Sequence, residues 1–299
     1  GRSDPPGVTP RSRRKRAAGP RDLTFTPASR SDDARMDANT DPTPREHRTP
    51  APRTVVVTGA GTGIGRATAR AFAADGAHVV AVGRRPGPLR ETAAEPGCGA
   101  IVPLTADLTG PQAPERVVAA ALEATGRLDV LVNNAGIVLN ERLAELTPER
   151  IGTQLSTNLT APVLLTRAAL PALRRAPSGG VVVNVSTSIG QRAWPGNSLY
   201  AATKAALELL TRSWAVDFAP DGVRVVAVAP GAVDTPIGEH SGLGPRQREA
   251  VRAWQLAHTP LGRVGRPAEV AWAIRQLSAP EASFITGVVL PVDGGAVVA

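Results

Sequence analysis

The chain has 299 residues, 42% of them apolar but only 3% aromatic, so a substantial core is possible and must be built from Ala, Val, Leu and Ile. One cysteine, Cys98, excludes an intramolecular disulfide framework, reads as a small loop filler and fits a reducing, cytoplasmic setting. The histidines (His47, His78, His240 and His258) lack metal-site spacing, and no apolar run approaches the roughly 20 residues of a membrane span. The net charge of +8 suggests nucleic acid until its distribution is considered. Nine Arg/Lys against four Asp precede Met36, a net of +5 that leaves +3 for the rest. The run Arg13-Arg14-Lys15-Arg16 thus belongs to a tail, without the interleaved aromatics of a stacking platform, and no nucleic-acid partner is expected.

Residues 1–52 are rich in Pro, Arg, Ser, Thr and Asp, without hydrophobic periodicity, and predict a disordered extension. No apolar h-region follows the arginine cluster, so a secretory signal is not expected, and Met36, the one methionine, is expected to be the natural start. From Arg53 onward short β-branched runs alternate with helical segments. Thr54–Val57, His78–Val82, Ala100–Leu104, Val130–Val132, Val181–Val185, Val223–Val228 and Val288–Val292 predict seven strands. They are continuous apolar runs, as expected for a parallel sheet covered on both faces. Helical character falls at Gly65–Ala74, Glu115–Ala124, Ser198–Phe218 and Ala268–Leu277. The alternation predicts one doubly wound α/β domain over residues 53–299.

Directly after the first strand, Thr58-Gly59-Ala60-Gly61-Thr62-Gly63-Ile64-Gly65 opens a helix. Glycines there allow a tight turn and close approach of backbone to a pyrophosphate, which the helix N-terminus stabilises. The second strand ends at Gly83-Arg84-Arg85, where two guanidiniums stand in place of a ribose-binding carboxylate. That substitution suits a 2′-phosphate and favours NADP(H), with NAD(H) the alternative. Tyr200 and Lys204 lie four apart on a helix, so phenol and ammonium can share one cleft. A carbonyl that accepts hydride must also receive a proton, and a nearby cation lowers a phenol pKa of about 10. Tyr200 is the only tyrosine, and Lys204 the only lysine besides Lys15 in the tail.

The spacing Thr-Gly-x-x-x-Gly-x-Gly together with Tyr-x-x-x-Lys resembles the short-chain dehydrogenase/reductase superfamily, and the likeness runs from about residue 53 to 295. The resemblance implies that Asp107 and Leu108 meet the adenine, and that Asn133-Asn134-Ala135-Gly136 supports the sheet beside the cofactor. It further implies that Pro230, Gly231, Val233 and Thr235 face the nicotinamide carboxamide, and that Pro260–Arg263, Phe284–Gly287 and Val292–Gly295 form the C-terminal pattern. Asn158, 25 residues after Asn133, corresponds to a catalytic asparagine that holds a relay water for Lys204. Thirteen residues before Tyr200, where family members carry serine, stands Thr187, flanked by Ser186 and Ser188. Its hydroxyl can still orient a carbonyl, its methyl narrows the pocket, and strand alternation turns the two serines away, although either neighbour could supply the hydroxyl instead.

The implied activity is reversible reduction of a small-molecule carbonyl to a secondary alcohol, with Tyr200 as general acid/base and no metal. A homotetramer or homodimer is implied as well, paired through helices around residues 153–175 and 198–219. Residues 236–259 are expected to form a substrate lid, with Trp254 and Trp194 either as its walls or as core packing, and with no basic cluster pointing to an anionic substrate. The alternatives are a catalytically silent NADP-binding sensor and a structural oligomer of the same fold.

Overall fold

A computed structural model describes residues 1, 52–95, 97, 99–140, 142–191, 196–240 and 243–298. The expectations for residues 1–52 (Gly1 and Pro52 apart), for Cys98 and for Trp194 lie outside the described residues.

Seven parallel strands form one sheet in the order β3-β2-β1-β4-β5-β6-β7. They are β1 Thr54–Thr58, β2 His78–Gly83, β3 Ala100–Thr105, β4 Val130–Asn133, β5 Val181–Val185, β6 Arg224–Pro230 and β7 Val289–Val292. The helices are α1 Gly63–Ala74, α2 Pro86–Ala93, α3 Ala113–Thr125, α4 Pro148–Leu155, α5 Ala161–Leu173, α6 Ser198–Phe218, α7 Pro245–Ala257 and α8 Pro267–Leu277. This is the doubly wound architecture expected from the alternation of elements.

The central strands show why their sequences are apolar without alternation. Val55 and Val57 of β1 join one core with Phe72 of α1 and Ile274 of α8, whereas Val56 joins the other with Leu131, Leu165 and Leu173. Each such fully buried valine contributes about 1.5–3 kcal/mol of transfer free energy. The edge strands depart from the expectation of two covered faces. Most of β3 is exposed, Val102 included, and it carries Pro103, a residue that belongs at an edge because it donates no ladder hydrogen bond. At the opposite edge β7 is only partly buried.

Helices α2, α4 and α7 were not resolved as such in the sequence. Helix α2 buries only Leu89 and Thr92 and so lacks a long apolar stripe. Helix α7 buries no residue fully, and it lies inside the segment expected to be a lid. Among the described residues no helix is long and apolar enough to cross a membrane.

Strand order reverses between β1, which pairs with β2, and β4, which lies on its other side. Such a switch point opens a crevice at the carboxyl ends of the strands, and the Gly59–Gly65 turn, Arg84-Arg85, Asp107, Asn134–Gly136, Thr187 and Gly231–Thr235 each follow a strand at that end.

Candidate active site

The turn between β1 and α1 is packed closely enough to require its glycines. A Cβ on Gly65 would stand 2.3 Å from the Gly59 carbonyl oxygen and 2.5 Å from Asn134 Nδ2. Gly59 has φ 65°, and a Cβ there would meet Asn134 and Ala135 at about 3 Å. Thr62 enters the helix extended, without a side-chain cap, and no acidic residue lies in the first turn. The first N–H groups of α1, at Gly63, Ile64 and Gly65, are therefore left for an anion. Thr235, from the loop after β6, touches this turn: its methyl would be 3.1 Å from a Cβ on Gly63. Gly61 backs onto Pro88 at the start of α2.

Thr58 ties this turn to the loop after β4. Its hydroxyl accepts from the amides of Asn134 (2.9 Å) and Ala135 (3.0 Å) and donates to Val132 (3.1 Å), while Asn134 Nδ2 donates to the Thr58 carbonyl at 2.8 Å. Arg84 and Arg85 are exposed at the end of β2. Asp107, beyond β3, accepts from the Thr109 amide and hydroxyl, which hold its carboxyl below the usual carboxylate range with help from the Arg84 charge. Leu108 packs against the second core.

Asn158 sits in a π-helical turn, Ser156–Thr160, inserted between α4 and α5. Fully buried there, its Oδ1 accepts from the Ile137 amide (2.9 Å), and its Nδ2 donates to the Ile137 carbonyl (2.9 Å) and to Thr203 (3.3 Å). Lys204 Nζ donates to the Val185 carbonyl at 2.8 Å and lies 6.0 Å from the Tyr200 ring centroid. A Cβ on Gly136 would stand 3.3 Å from Lys204 Nζ and 3.4 Å from Asn158 Oδ1, so both groups face this glycine.

The three hydroxyls after β5 separate cleanly. Ser186 donates to the buried Glu208 at 2.7 Å. Thr187 hydrogen-bonds the Tyr200 side chain and lies 3.3 Å from the Pro230 carbonyl. Ser188 is buried where a 3-10 turn begins. Burial governs both ionisable groups. It pushes the Tyr200 phenol up to about 12, with the Thr187 hydrogen bond acting downward, and pushes Lys204 down to about 8. The expectation that the Lys204 charge sets the phenol low is thereby corrected, because desolvation dominates.

A cavity of about 340 Å³ joins these parts, lined by Ile64, Thr187, Tyr200 and Lys204 among others. Pro230, Gly231, Val233 and Thr235 line it as well. Among the described residues no three His, Cys, Asp or Glu side chains converge as metal ligands would.

Residues 59–297 match the family model described as enoyl-(acyl carrier protein) reductase, adh_short_C2. The chain belongs to the short-chain dehydrogenase/reductase family. It is 36% identical over 245 residues to the 3-oxoacyl-acyl-carrier-protein reductase FabG of Thermotoga maritima, covering 81% of this chain and 97% of that relative. It is 37% identical over 243 residues to human L-xylulose reductase, covering 81% and 96%. A solved 3-ketoacyl-(acyl-carrier-protein) reductase from Brucella melitensis, complexed with NADH, superposes with a TM-score of 0.74 at 33% identity, covering 82% of this chain and 98% of that one. As a member of this family the chain is an NAD(P)-dependent oxidoreductase.

In this short-chain dehydrogenase/reductase the outer wall of the cleft differs from the sequence reading. Trp254 stacks on His258, ring centroids 3.8 Å apart, and does not line the cavity. Arg248, Val251, Arg252 and Gln255 of α7 line it instead. The arginines look scattered in the sequence, but positions 248 and 252 are one helical turn apart and share a face, so the lid does carry a basic pair. Asn197, at the N-terminus of α6, also lines the cavity and was not singled out.

Proposed function

We propose that the chain interconverts a small-molecule carbonyl and a secondary alcohol with NADP(H), using Tyr200 as general acid and base. The observation that carries this is the hydrogen bond between Thr187 and the Tyr200 phenol, with Lys204 beside it, in a cavity that also reaches the N-terminus of α1.

The residues present suit a dinucleotide. The closely packed Gly59–Gly65 turn and the free α1 amides would hold the pyrophosphate, Arg84 and Arg85 a 2′-phosphate, and Asp107 and Leu108 the adenine. Asn134, Ala135 and Gly136 would flank it, and Pro230, Gly231, Val233 and Thr235 would meet the nicotinamide end. When bound, a nicotinamide supplies or takes up the hydride. Thr187 positions the carbonyl oxygen by its hydroxyl. Tyr200, kept protonated at neutral pH by its high pKa, donates the phenolic proton to that oxygen in reduction and recovers it in oxidation. Asn158 has one oxygen lone pair left after its three hydrogen bonds, on the side of Gly136 and Lys204, where a relay water can bridge to the ammonium. Homotetramer or homodimer formation fits the apolar outer face of α6, which exposes Leu209 and Val216, and the single cysteine fits a cytoplasmic setting.

A ketone and alcohol panel at saturating NADPH or NADP⁺ tests the proposal. Turnover should appear and fall at least 100-fold in Tyr200→Phe, with cofactor binding retained. Full activity in that variant would refute the role of Tyr200, and cofactor binding without turnover on any member would favour a sensor.

A further inference from the structure

The lid helix α7 turns one face to the cleft, made by Arg248, Val251, Arg252 and Gln255. The spacing 248, 251, 252, 255 is that of a helical stripe, so these side chains converge by the periodicity of the helix and not by chance proximity. The two arginines differ. Arg252 donates to Asp234 at 2.9 Å, so its charge is offset by a carboxylate outside the cavity. Arg248 is partly buried, and among the described residues no carboxylate stands within ion-pair distance of it. The cavity's only charged lining groups, among the described residues, are Lys204, Arg248 and Arg252, and no carboxylate lines it. Lys204 is tied to the Val185 carbonyl at the floor. A cleft lined by one sign of charge concentrates the opposite sign, and a guanidinium offers a planar fork of donors matched to carboxylate and phosphate oxygens.

We infer that Arg248 forms an anion subsite at the mouth of the cleft, which selects carbonyl substrates bearing a carboxylate or phosphate group away from the reacting carbon. This rests on the carbonyl-reductase activity proposed above. The anion would sit under α7 while the carbonyl reaches Thr187 and Tyr200 at the floor. Val251, between the two arginines on the same face, gives the connecting chain an apolar surface to cross.

Two matched pairs of probes test it with the full chain and NADPH: 4-oxopentanoate against its methyl ester, and dihydroxyacetone phosphate against dihydroxyacetone. The charged member of at least one pair should have a kcat/KM tenfold or more above its neutral partner, and the pair that shows it tells carboxylate from phosphate. Arg248→Ala should raise KM for that charged member about tenfold, leaving kcat, the neutral partner and the NADPH KM within twofold. Arg248→Lys should recover part of the loss, and Arg252→Ala should cost less than threefold. Calorimetric titration of 4-oxopentanoate and of dihydroxyacetone phosphate into the NADP⁺ complex, with and without Arg248→Ala, reads the subsite independently of turnover. Binding that Arg248→Ala abolishes supports the subsite even if nothing is reduced, in which case the reductase activity alone fails. Reduction of neutral ketones without preference for charge, or no binding of either anion, overturns the subsite. An Arg248→Ala effect on NADPH KM alone also overturns it, by assigning the arginine to the cofactor phosphates.

Discussion

Ser186 donates a hydrogen bond of 2.7 Å to the buried carboxylate of Glu208, eight residues beyond Tyr200 on α6. Ser186 lines the cleft, but that contact engages its hydroxyl with Glu208, and Thr187 is the one that meets the phenol. Thr187→Val should therefore lower kcat about 100-fold, the scale of a lost oxyanion-type donor. Thr187→Ser should stay within a fewfold of the starting protein. Ser186→Ala should act on stability, costing about 1–3 kcal/mol because it leaves the Glu208 carboxylate without its shortest partner. Steady-state kinetics paired with thermal melts separates these outcomes, and a Ser186→Ala variant that melts normally but has lost turnover would reverse the assignment.

The phosphate turn allows a test that does not involve chemistry. A methyl group on Gly65 would be placed 2.3 Å from the Gly59 carbonyl oxygen, a distance that only backbone movement can relieve. Gly65→Ala should weaken NADPH binding at least tenfold, as read by quenching or enhancement of nicotinamide fluorescence. Unchanged affinity would mean that the cofactor is held elsewhere.

Lys204 ties stability to pH. Its pKa is near 10.5 in the unfolded chain and about 8 when buried in the fold. Below pH 8 both states carry the charge and the fold bears its full desolvation cost, about 3 kcal/mol at ~1.4 kcal/mol per unit. Between about pH 8 and 10.5 the unfolded chain holds the extra proton, so stability rises with pH, and above that range the cost is gone. Lys204→Met should be inactive yet more stable at pH 7, by about 1–2 kcal/mol after the lost bond to Val185 is counted. The gap should close near pH 10. Denaturant titrations of both proteins at pH 7 and pH 10 check the sign.

Cofactor choice rests on the end of β2. Arg84→Ala should raise the NADPH KM tenfold or more and leave the NADH KM within twofold, because only one cofactor offers a 2′-phosphate to a guanidinium. A starting protein that binds NADH more tightly than NADPH would reverse the assignment.

The sheet and the motif positions were legible because their signals are local. Valine runs mark β1, β5 and β6, and the Tyr200–Lys204 spacing fixes a shared helix face. The lid was misjudged because its chemistry is a matter of helical phase: Glu249, Ala250 and Val251 separate Arg248 from Arg252 in the sequence, and only the turn of α7 aligns the pair. Trp254 drew notice by its size, but it faces away and stacks on His258. The buried tie between Ser186 and Glu208 was invisible because it joins residues 22 apart across two elements. The edge strands were read as fully covered because apolar runs carry no mark of their place in the sheet. Pro103 was the one residue that distinguished β3.

The burial of Lys204 has a practical side. The chain's other lysine is Lys15, so among residues 53–299 one primary side-chain amine exists, and it opens only into the cleft. With a pKa near 8 that amine is about half neutral, and nucleophilic, at pH 8. An acylating reagent small enough to enter would tag one site of the folded unit, and ligands seated over it would slow the tagging. The arginine-rich exterior offers such reagents no side-chain amine, so the extent of modification at Lys204, read by peptide mass, is a gauge of cleft occupancy.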